Sequence, residues 1–321
     1  MRIQDDGDQI IFRNPRYFSQ LDDESFIFFD YPSLYKYNVK GKLQFKIPEM
    51  GEGPAECISP NYYYFDGEII YVTSCIPPKI MKYDIHGKFI KEQKVPKSTF
   101  VYLGYIENRI IGIRDEIHYS EFIHKQGFFE TPYTLYEISP DFRKKRKILD
   151  IPVEHYIKER HWWRRTGFAF VPYKHYLFSL HTAEYQIDKI NLRSGRIENS
   201  FKRPYNRIKS KKHGSSPDIY NPTPKNLQPP AFDYEWDSNW VQVVNNTLWV
   251  FTSTKKDNMT LIDVFDMEGH YIDNFYLRFP ENNEDHRLSH SLITNEGICY
   301  FLDENKETGL LSIGKYKIKD G

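Results

Sequence analysis

The amino-acid sequence predicts an all-β fold, a six-bladed β-propeller whose blades are four-stranded antiparallel sheets. Three observations lead to this prediction. The chain is rich in Tyr (25 residues) and Phe (23 residues), which favour strands. A short motif that contains a turn recurs six times along the chain. The apolar periodicity of an amphipathic helix is almost absent, which argues against α/β folds.

The recurring motif consists of an aromatic or aliphatic residue, a polar pair, a turn and a basic or aromatic residue. Its glycines are separated by 46 residues from Gly41 to Gly87, by 108 to Gly195, by 74 to Gly269 and by 52 to Gly321. A period near 40–50 residues with strands and turns is typical of propeller blades. The six copies are Tyr37–Leu43, Tyr83–Phe89, Ile138–Phe142, Ile190–Gly195, Phe265–Tyr271 and Tyr316–Gly321.

A strongly apolar run lies earlier in each unit, and in five units a short turn precedes it. Continuous apolar runs of this length are typical of strands buried on both faces, as the second strand of a blade would be. The turns are Asp22–Glu24, Asp66–Gly67, Glu107–Asn108, Asn245–Asn246 and Asn295–Gly297. The runs are Phe26–Phe29, Ile69–Val72, Ile110–Ile113, Tyr176–Leu180, Leu248–Phe251 and Ile298–Phe301.

The last unit ends after its third strand, so we expect an N-terminal strand to close the last blade. The segment Gln9–Arg13 has the composition of such a strand. This closure would join the two chain ends and leave no large open edge. We therefore expect residues 1–321 to form a single domain, and two adjacent β-sandwiches are the alternative.

Three long segments are predicted to lie on the same face of the propeller. In a four-stranded antiparallel blade, the connection from the second to the third strand and the connection to the next blade lie on one face. The segments at about Asp115–Thr131, Pro152–Arg165 and Lys202–Phe232 all fall at such connections, as does the shorter loop Gly51–Pro54. Long connections in compact domains are usually functional or disordered.

The charge balance argues against a nucleic-acid-binding protein. Lys+Arg and Asp+Glu both number 44, so the formal net charge is zero. Nucleic-acid binders rely on a positive field, so we expect no nucleic-acid partner.

No apolar run approaches the roughly 18 residues of a membrane helix, and the first residues contain no signal-peptide core. We expect either a cytosolic protein or one whose export signal was removed.

The cysteine and histidine patterns predict neither a metal site nor a cofactor. Cys57, Cys75 and Cys299 form no disulfide framework and no CxxC pair. Cys57 and Cys75 flank one hairpin and are predicted to be free thiols. The 11 histidines have no spacing typical of a compact metal site.

The most unusual segment combines tryptophan, arginine and histidine. His161, Trp162, Trp163, Arg164 and Arg165 follow one another in the second long insertion. Such residues could stack on a sugar ring or a base, or anchor a protein partner. The alternative is that the two tryptophans fill space beneath the long loops.

A second group of candidate residues lies at the end of a second strand, near the predicted channel mouth. It contains Arg114, Asp115, Glu116 and His118. Paired carboxylates could carry out acid–base chemistry, but they could equally cap a loop or pair with Arg114. The sequence contains no G-x-S-x-G, HExxH or phosphate-loop motif.

The segment Gly51–Glu56 and the repeat Lys82–Ile90 resemble six-bladed propeller proteins common in Bacteroidetes, which are related to NHL-repeat and TolB-like propellers. Ala55 stands where the family usually has a third glycine, and the later blades depart from the pattern. The resemblance implies the propeller fold and a periplasmic or cell-envelope location. It implies no catalytic residues.

Together, these features favour a non-enzymatic recognition module that binds a protein, peptide or glycan on the insertion-bearing face. One alternative is a carbohydrate-active lyase or hydrolase with a site at the channel mouth. Another is a structural scaffold of a cell-envelope assembly. An enzyme requires titratable groups that converge in a concave pocket, whereas a recognition module requires an exposed aromatic surface.

Overall fold

The computed structural model describes residues 2–4, 16–21, 24–95, 102–116, 124–158, 161–164, 167–210, 233–257, 259–279, 291–304 and 311–318. Within these residues every regular element is a β-strand, and the strands form six sheets. The predicted all-β fold of six antiparallel sheets is therefore confirmed. Among the same residues there is no helix long and apolar enough to span a membrane.

The strands follow one another in chain order within each sheet, apart from the first strand, which joins the last sheet. The first strand is β1 (Arg2–Gln4), and the first sheet contains β2 (Arg16–Gln20), β3 (Phe26–Asp30), β4 (Ser33–Tyr37) and β5 (Leu43–Ile47). The second sheet contains β6 (Ser59–Phe65), β7 (Ile69–Ile76), β8 (Pro78–Asp84) and β9 (Phe89–Lys94). The third contains β10 (Tyr102–Ile106), β11 (Arg109–Asp115), β12 (Gly127–Ile138), β13 (Lys145–Lys158) and β14 (His161–Arg164).

The remaining strands form three sheets of four strands each. The fourth sheet contains β15 (Phe168–Tyr173), β16 (Tyr176–His181), β17 (Gln186–Asn191) and β18 (Arg196–Phe201). The fifth contains β19 (Ser238–Val244), β20 (Thr247–Lys256), β21 (Met259–Phe265) and β22 (Tyr271–Arg278). The sixth contains β23 (Ser291–Ile293), β24 (Ile298–Glu304) and β25 (Leu311–Lys317), and β1 pairs with β25.

Each predicted apolar run is the second strand of its sheet, namely β3, β7, β11, β16, β20 and β24. Phe26–Phe29 is inaccessible to solvent along its whole length. The preceding turns have the expected chemistry. Glu107 and Asn108 have φ of 48° and 61°, and Asn245 and Asn246 have φ of 48° and 58°. Positive φ at both central residues is typical of the turns that join tight hairpins.

The repeat glycines allow neighbouring sheets to approach each other closely, besides forming turns. A Cβ atom on Gly87 would lie 2.5 Å from the Phe45 ring, and one on Gly269 would lie 2.5 Å from the Phe201 ring. Phe45 belongs to β5 and Phe201 to β18, the outer strands of the preceding sheets. The repeat motif therefore encodes the packing between successive sheets as well as the turn.

The sixth sheet contains an N-terminal strand, as predicted. Its order is β1-β25-β24-β23, and Ile3 pairs with Ile313. The pairing segment is Arg2–Gln4, whereas the predicted segment Gln9–Arg13 lies outside the described residues. Arg2–Gln4 alternates polar and apolar residues, so it also fits an outer strand.

The third sheet differs from the prediction because it has a fifth strand. We expected Pro152–Arg165 to be a long connection, but β13 continues to Lys158 and β14 pairs with it. Val153, His155 and Ile157 are buried. Buried residues at every second position are typical of a strand, and this periodicity explains why β13 continues past Pro152.

The chain divides into two compact units. The first contains Met1–Ile111, Ile138–Lys145 and Arg278–Gly321, and the second contains Gly112–Glu137 and Arg146–Leu277. One core of the first unit is a stack of aromatic rings, and the core of the second is mainly aliphatic. Representative core residues are Phe18, Phe26, Phe28, Tyr35 and Tyr300 in the first unit, and Phe178, Leu180, Ile187, Val250 and Phe265 in the second.

Candidate functional site

Most of the segment that combines tryptophan, arginine and histidine forms the outer strand of the third sheet. The antiparallel register of β13 and β14 pairs Trp162 with Ile157 and Trp163 with Tyr156. Arg165 lies outside the described residues. The structure thus places on β14 four of the five candidate ligand residues of this segment, which are His161, Trp162, Trp163 and Arg164.

The two carboxylates predicted at the channel mouth have different neighbours. Glu116 accepts a hydrogen bond of 2.7 Å from the Tyr136 hydroxyl, and its Oε1 lies 4.0 Å from the Arg114 Nε. Asp115 is the last residue of β11, and its Oδ2 lies 3.8 Å from the His155 Nε2. Each carboxylate therefore has its own partner, and these contacts do not support a catalytic pair in which both carboxylates act on one substrate.

His155 is buried in the third sheet and was not predicted as a site residue. Its Nδ1 lies 2.9 Å from the Thr131 hydroxyl, and its ring lies 6.4 Å from the Tyr133 ring. Of the two neighbouring side chains, His155 is inaccessible to solvent and Asp115 is partly accessible. His118, the fourth residue of the predicted group, lies outside the described residues.

A second histidine–carboxylate pair lies in the fourth sheet. The His181 Nε2 lies 2.7 Å from Asp188, which also accepts hydrogen bonds from Ser200 (2.7 Å) and Gln186 (2.9 Å). Burial works against ionisation of Asp188, but the hydrogen bonds outweigh it and hold the pKa of Asp188 below its ordinary value. The Phe168 ring packs against His181 at 4.8 Å. These contacts describe a satisfied internal network that stabilises the sheet.

Two aromatic side chains in the connection between the fourth and fifth sheets are exposed. Tyr234 is 37% exposed and Trp236 is 40% exposed. The Trp236 six-membered ring lies 3.0 Å from the place where a Cβ atom of Gly167 would be, and Ser253 donates a hydrogen bond to the Trp236 carbonyl. Gly167 comes three residues after Arg164 in the sequence, and β14 ends at Arg164.

Arg207 holds Tyr234 in place and has its own charge compensated. Its Nε donates to Asp237 at 3.0 Å, its Nη2 donates to the Ala183 carbonyl at 2.8 Å, and its guanidinium lies 4.6 Å from the centre of the Tyr234 ring. Burial raises the pKa of Asp237, and the ion pair with Arg207 opposes this shift. A guanidinium stacked on tyrosine and paired with a carboxylate restricts both side chains.

The side chains of Arg203 and Tyr205 attach the beginning of the third predicted insertion to the fourth and fifth sheets. Arg203 forms an ion pair with the buried Asp263, which also accepts a hydrogen bond from Tyr185. Burial raises the pKa of Asp263, and both partners oppose that shift. The Tyr205 hydroxyl lies 2.7 Å from the Thr254 hydroxyl. This attachment gives the chain a fixed path towards Tyr234.

The same insertion, predicted at 202–232, is paired at its base with the segment before β19 that carries the exposed aromatic residues. Lys209 forms an antiparallel bridge with Tyr234, and the Glu235 backbone donates to the Ile208 carbonyl at 2.9 Å. From residue 211 onward the insertion lies outside the described residues. The described part therefore fixes the backbone position of Tyr234 from one side.

The structure contains no metal-binding group in its described residues, where no three His, Cys, Asp or Glu side chains could hold an ion. Cys57, Cys75 and Cys299 are free thiols. Burial raises the pKa of Cys57 to about 11 and that of Cys299 to about 12, so both stay protonated at neutral pH. Cys75 accepts a hydrogen bond from Asn61 at 2.7 Å.

We name Tyr234, Trp236, Arg207 and Gly167 the Trp236 surface. Sequence reasoning missed it because a single Trp in a polar stretch gives no strand or motif signal. Its aromatic residues alternate with the acids Asp233, Glu235 and Asp237, and this alternation is the only local signal that could have identified the stretch. Which rings are exposed depends on tertiary packing.

The six antiparallel sheets and their repeat define the chain as a six-bladed β-propeller. Residues 10–189, which are more than half of the chain, match the model of a protein family described as "6-bladed beta-propeller". The chain belongs to this family. No curated protein matches the sequence.

Two solved structures show the same fold at low sequence identity. A protein from Bacteroides fragilis, named as a candidate exported protein, has a TM-score of 0.57 and 12% identity, with 99% of this chain and 95% of that chain covered. A chain of a mitotic checkpoint complex has a TM-score of 0.50 and 10% identity, with 100% of this chain and 91% of that chain covered. At these identities the likeness shows the fold alone.

Proposed function

We propose that this propeller is a non-enzymatic recognition module that binds a protein, peptide or glycan through the Trp236 surface. The observation that carries the proposal is that Tyr234 and Trp236 are both about two-fifths exposed although their positions are held by several contacts. Arg207 restrains Tyr234, and the contact with Gly167 restrains Trp236. Restrained and exposed aromatic rings bind ligands at a low cost in conformational entropy.

The neighbouring strand β14 supports the proposal. Trp236 lies against Gly167, a few residues after the strand that carries the sequence-predicted ligand residues. In the proposed site, Trp236 supplies a stacking surface for a sugar ring or an aromatic side chain. The ligand residues that β14 and the chain after it contribute in this proposal are His161, Trp162, Trp163, Arg164 and Arg165.

A carbohydrate-active lyase or hydrolase is the second candidate, and one contact favours it. The Asp115 Oδ2 lies 3.8 Å from the His155 Nε2, a separation at which an acid–base pair could tighten. It has less support because His155 is inaccessible to solvent and Glu116 is bonded to Tyr136. Its proposed residues are Arg114, Asp115, Glu116 and His118.

The proposal includes an architecture and a location. Residues 1–321 form one domain in this proposal, and the connection between β11 and β12 and the insertion at 202–232 share one face. A periplasmic or cell-envelope location is supported by the name of the Bacteroides fragilis protein and by the family resemblance of Gly51–Glu56. The same resemblance supports an NHL-like or TolB-like subtype.

The test is a screen of the purified chain on glycan and peptide arrays, with Trp236→Ala as the variant. Tyr276→Ala is the matched control, because Tyr276 is also 40% exposed and lies away from the site on β22. We expect Trp236→Ala to lose at least about tenfold in affinity, equivalent to about 1.4 kcal/mol. The variant should keep the wild-type melting temperature.

Three other outcomes would change the conclusion. A signal unchanged in Trp236→Ala, or lowered equally in Tyr276→Ala, would contradict recognition at this surface. A signal lost only in a Trp162→Ala/Trp163→Ala variant would move the site to β14. No signal on either array would favour the structural scaffold.

A further inference from the structure

Three large apolar side chains are strongly exposed at one end of the first two sheets. Met50 is 63% exposed, Ile76 is 51% exposed and Tyr31 is 41% exposed. They lie in the connection after β5, at the end of β7 and in the turn after β3. Single exposed apolar residues are normal, but a contiguous exposed group marks an interaction surface.

Hydrogen bonds connect the segments that carry Tyr31 and Ile76. The Tyr31 hydroxyl donates to the Ile58 carbonyl at 3.0 Å. The Ile58 backbone N–H donates to the Ile76 carbonyl, also at 3.0 Å. The Tyr31 hydroxyl and the backbone of Ile76 at the end of β7 therefore both bond to Ile58, which brings the two segments together.

The segment that carries Met50 pairs with the residue next to Ile58. The Cys57 N–H donates to the Glu49 carbonyl at 3.0 Å, and the Gly51 N–H donates to the Cys57 carbonyl at 3.5 Å. Met50 lies between these two bonded residues. All three exposed residues thus belong to segments held together around Cys57 and Ile58.

The loop that follows Met50 is held by polar contacts, most of which are partly buried. The Lys79 Nζ donates to the Gly53 carbonyl at 2.9 Å and to Glu92 at 2.8 Å. Glu92 also accepts from the Ala55 N–H at 3.2 Å, and the Tyr83 hydroxyl donates to the Ala55 carbonyl at 2.9 Å. A loop fixed in this way presents its exposed residues in one arrangement, which lowers the entropic cost of docking.

The charges next to Met50 are negative. Glu49 and Glu52 are exposed, and both lie within two residues of Met50. The nearby carboxylate of Glu56 accepts the Gly53 N–H at 2.9 Å. An apolar surface with acidic neighbours attracts cationic partners and repels anionic lipid or nucleic acid.

We propose that this end of the first two sheets is a second docking surface, for an apolar protein segment flanked by Lys or Arg. We name Tyr31, Met50, Ile76, Glu49 and Glu52 the Met50 surface. The apolar side chains contact the apolar part of the segment, and the two carboxylates contact its flanking cations. This surface does not depend on the proposed function of the Trp236 surface.

The probe is a library of apolar peptides flanked by Lys, compared with the same library flanked by Glu. Binding to the full chain is measured by fluorescence anisotropy. We expect the Lys-flanked peptides to bind at least about tenfold more tightly than the Glu-flanked ones. A Met50→Ser/Ile76→Ser variant should lose this binding, and a Glu49→Lys/Glu52→Lys variant should prefer the Glu-flanked peptides.

Ile90→Ser is the matched control, because Ile90 is 48% exposed on β9 in the same unit. It should leave the binding unchanged, and the charge-reversal variant keeps the test valid if the serine variant fails to fold. Equal binding of both libraries, no binding to the wild-type chain, or an equal loss in Ile90→Ser would overturn the proposal. A self-association that Met50→Ser/Ile76→Ser abolishes would overturn it in favour of a second copy of the chain.

Discussion

Replacement of Gly87 by alanine tests whether the repeat glycines allow neighbouring sheets to pack closely, in addition to forming a turn. Gly87 has φ of 82°, and a Cβ atom there would lie 2.5 Å from the Phe45 ring. The left-handed conformation costs about 1–2 kcal/mol for a residue with a Cβ atom, and forcing a methyl group into a packed site costs about 1–3 kcal/mol. We therefore expect Gly87→Ala to lower the free energy of unfolding by about 2–5 kcal/mol.

Gly67→Ala provides the control within the same unit. Gly67 also has a positive φ of 102°, but nothing lies within 4 Å of the place its Cβ atom would occupy. This variant carries only the backbone cost, so urea unfolding followed by tryptophan fluorescence should place its midpoint well above that of Gly87→Ala. Gly269→Ala, which would contact Phe201, should behave like Gly87→Ala. Equal midpoints for Gly87→Ala and Gly67→Ala would refute the close-approach reasoning.

Three further predictions concern the first two sheets and the buried thiols. Ala55 has φ of 62°, so Ala55→Gly should stabilise the protein by up to about 1 kcal/mol, and an unchanged or lower melting temperature would argue against this. Because burial raises the pKa of Cys57 to about 11 and of Cys299 to about 12, the folded protein should resist iodoacetamide at these residues at about pH 8, and rapid labelling seen by mass spectrometry would be inconsistent with this. The hydrogen bond from Lys79 holds the pKa of Glu92 below its ordinary value of 4.5, so this carboxylate stabilises the fold above that pH and the gain is lost as the pH falls. Glu92→Gln should therefore flatten the melting-temperature curve between about pH 5 and pH 3, and an unchanged curve would show that Glu92 does not contribute.

The repeating part of the fold could be predicted because its signals are local. The run Phe26–Phe29 is short, aromatic-rich and apolar at every position, which is typical of a strand covered on both faces. The pair Asn245–Asn246 tolerates the positive φ that a tight hairpin needs. Such signals require no knowledge of the rest of the chain, and they predicted the second strand of every sheet.

The irregular parts could not be predicted because they depend on distant partners. β14 contains two tryptophans, which favour strands, but four residues are too few to identify a strand without the edge that β13 offers it. Arg203 looks like a solvated cation in sequence, but it pairs with Asp263, which is 60 residues away. The role of Gly87 against Phe45 also depends on two sheets meeting.

The candidate site was predicted only in part, for a related reason. Adjacent carboxylates such as Asp115 and Glu116 suggest a shared site in sequence, but Asp115 ends β11, Glu116 follows it, and each contacts a different strand. Their partners, His155 and Tyr136, confirm that they act separately. The exposure of Trp236 could not be predicted from the sequence, because it depends on the contact with Gly167 and on the anchored chain around the ring.

Recognition at the Trp236 surface is tested most directly by calorimetric titration of the array ligand into three proteins, the wild type, Trp236→Phe and Trp236→Ala. A stacking contact predicts a graded loss of affinity, because phenylalanine keeps part of the aromatic face and alanine keeps none. The expected result is a loss of at least about tenfold for Trp236→Ala and a smaller loss for Trp236→Phe, with unchanged melting temperatures. Equal affinities in all three proteins would contradict ligand recognition by this tryptophan.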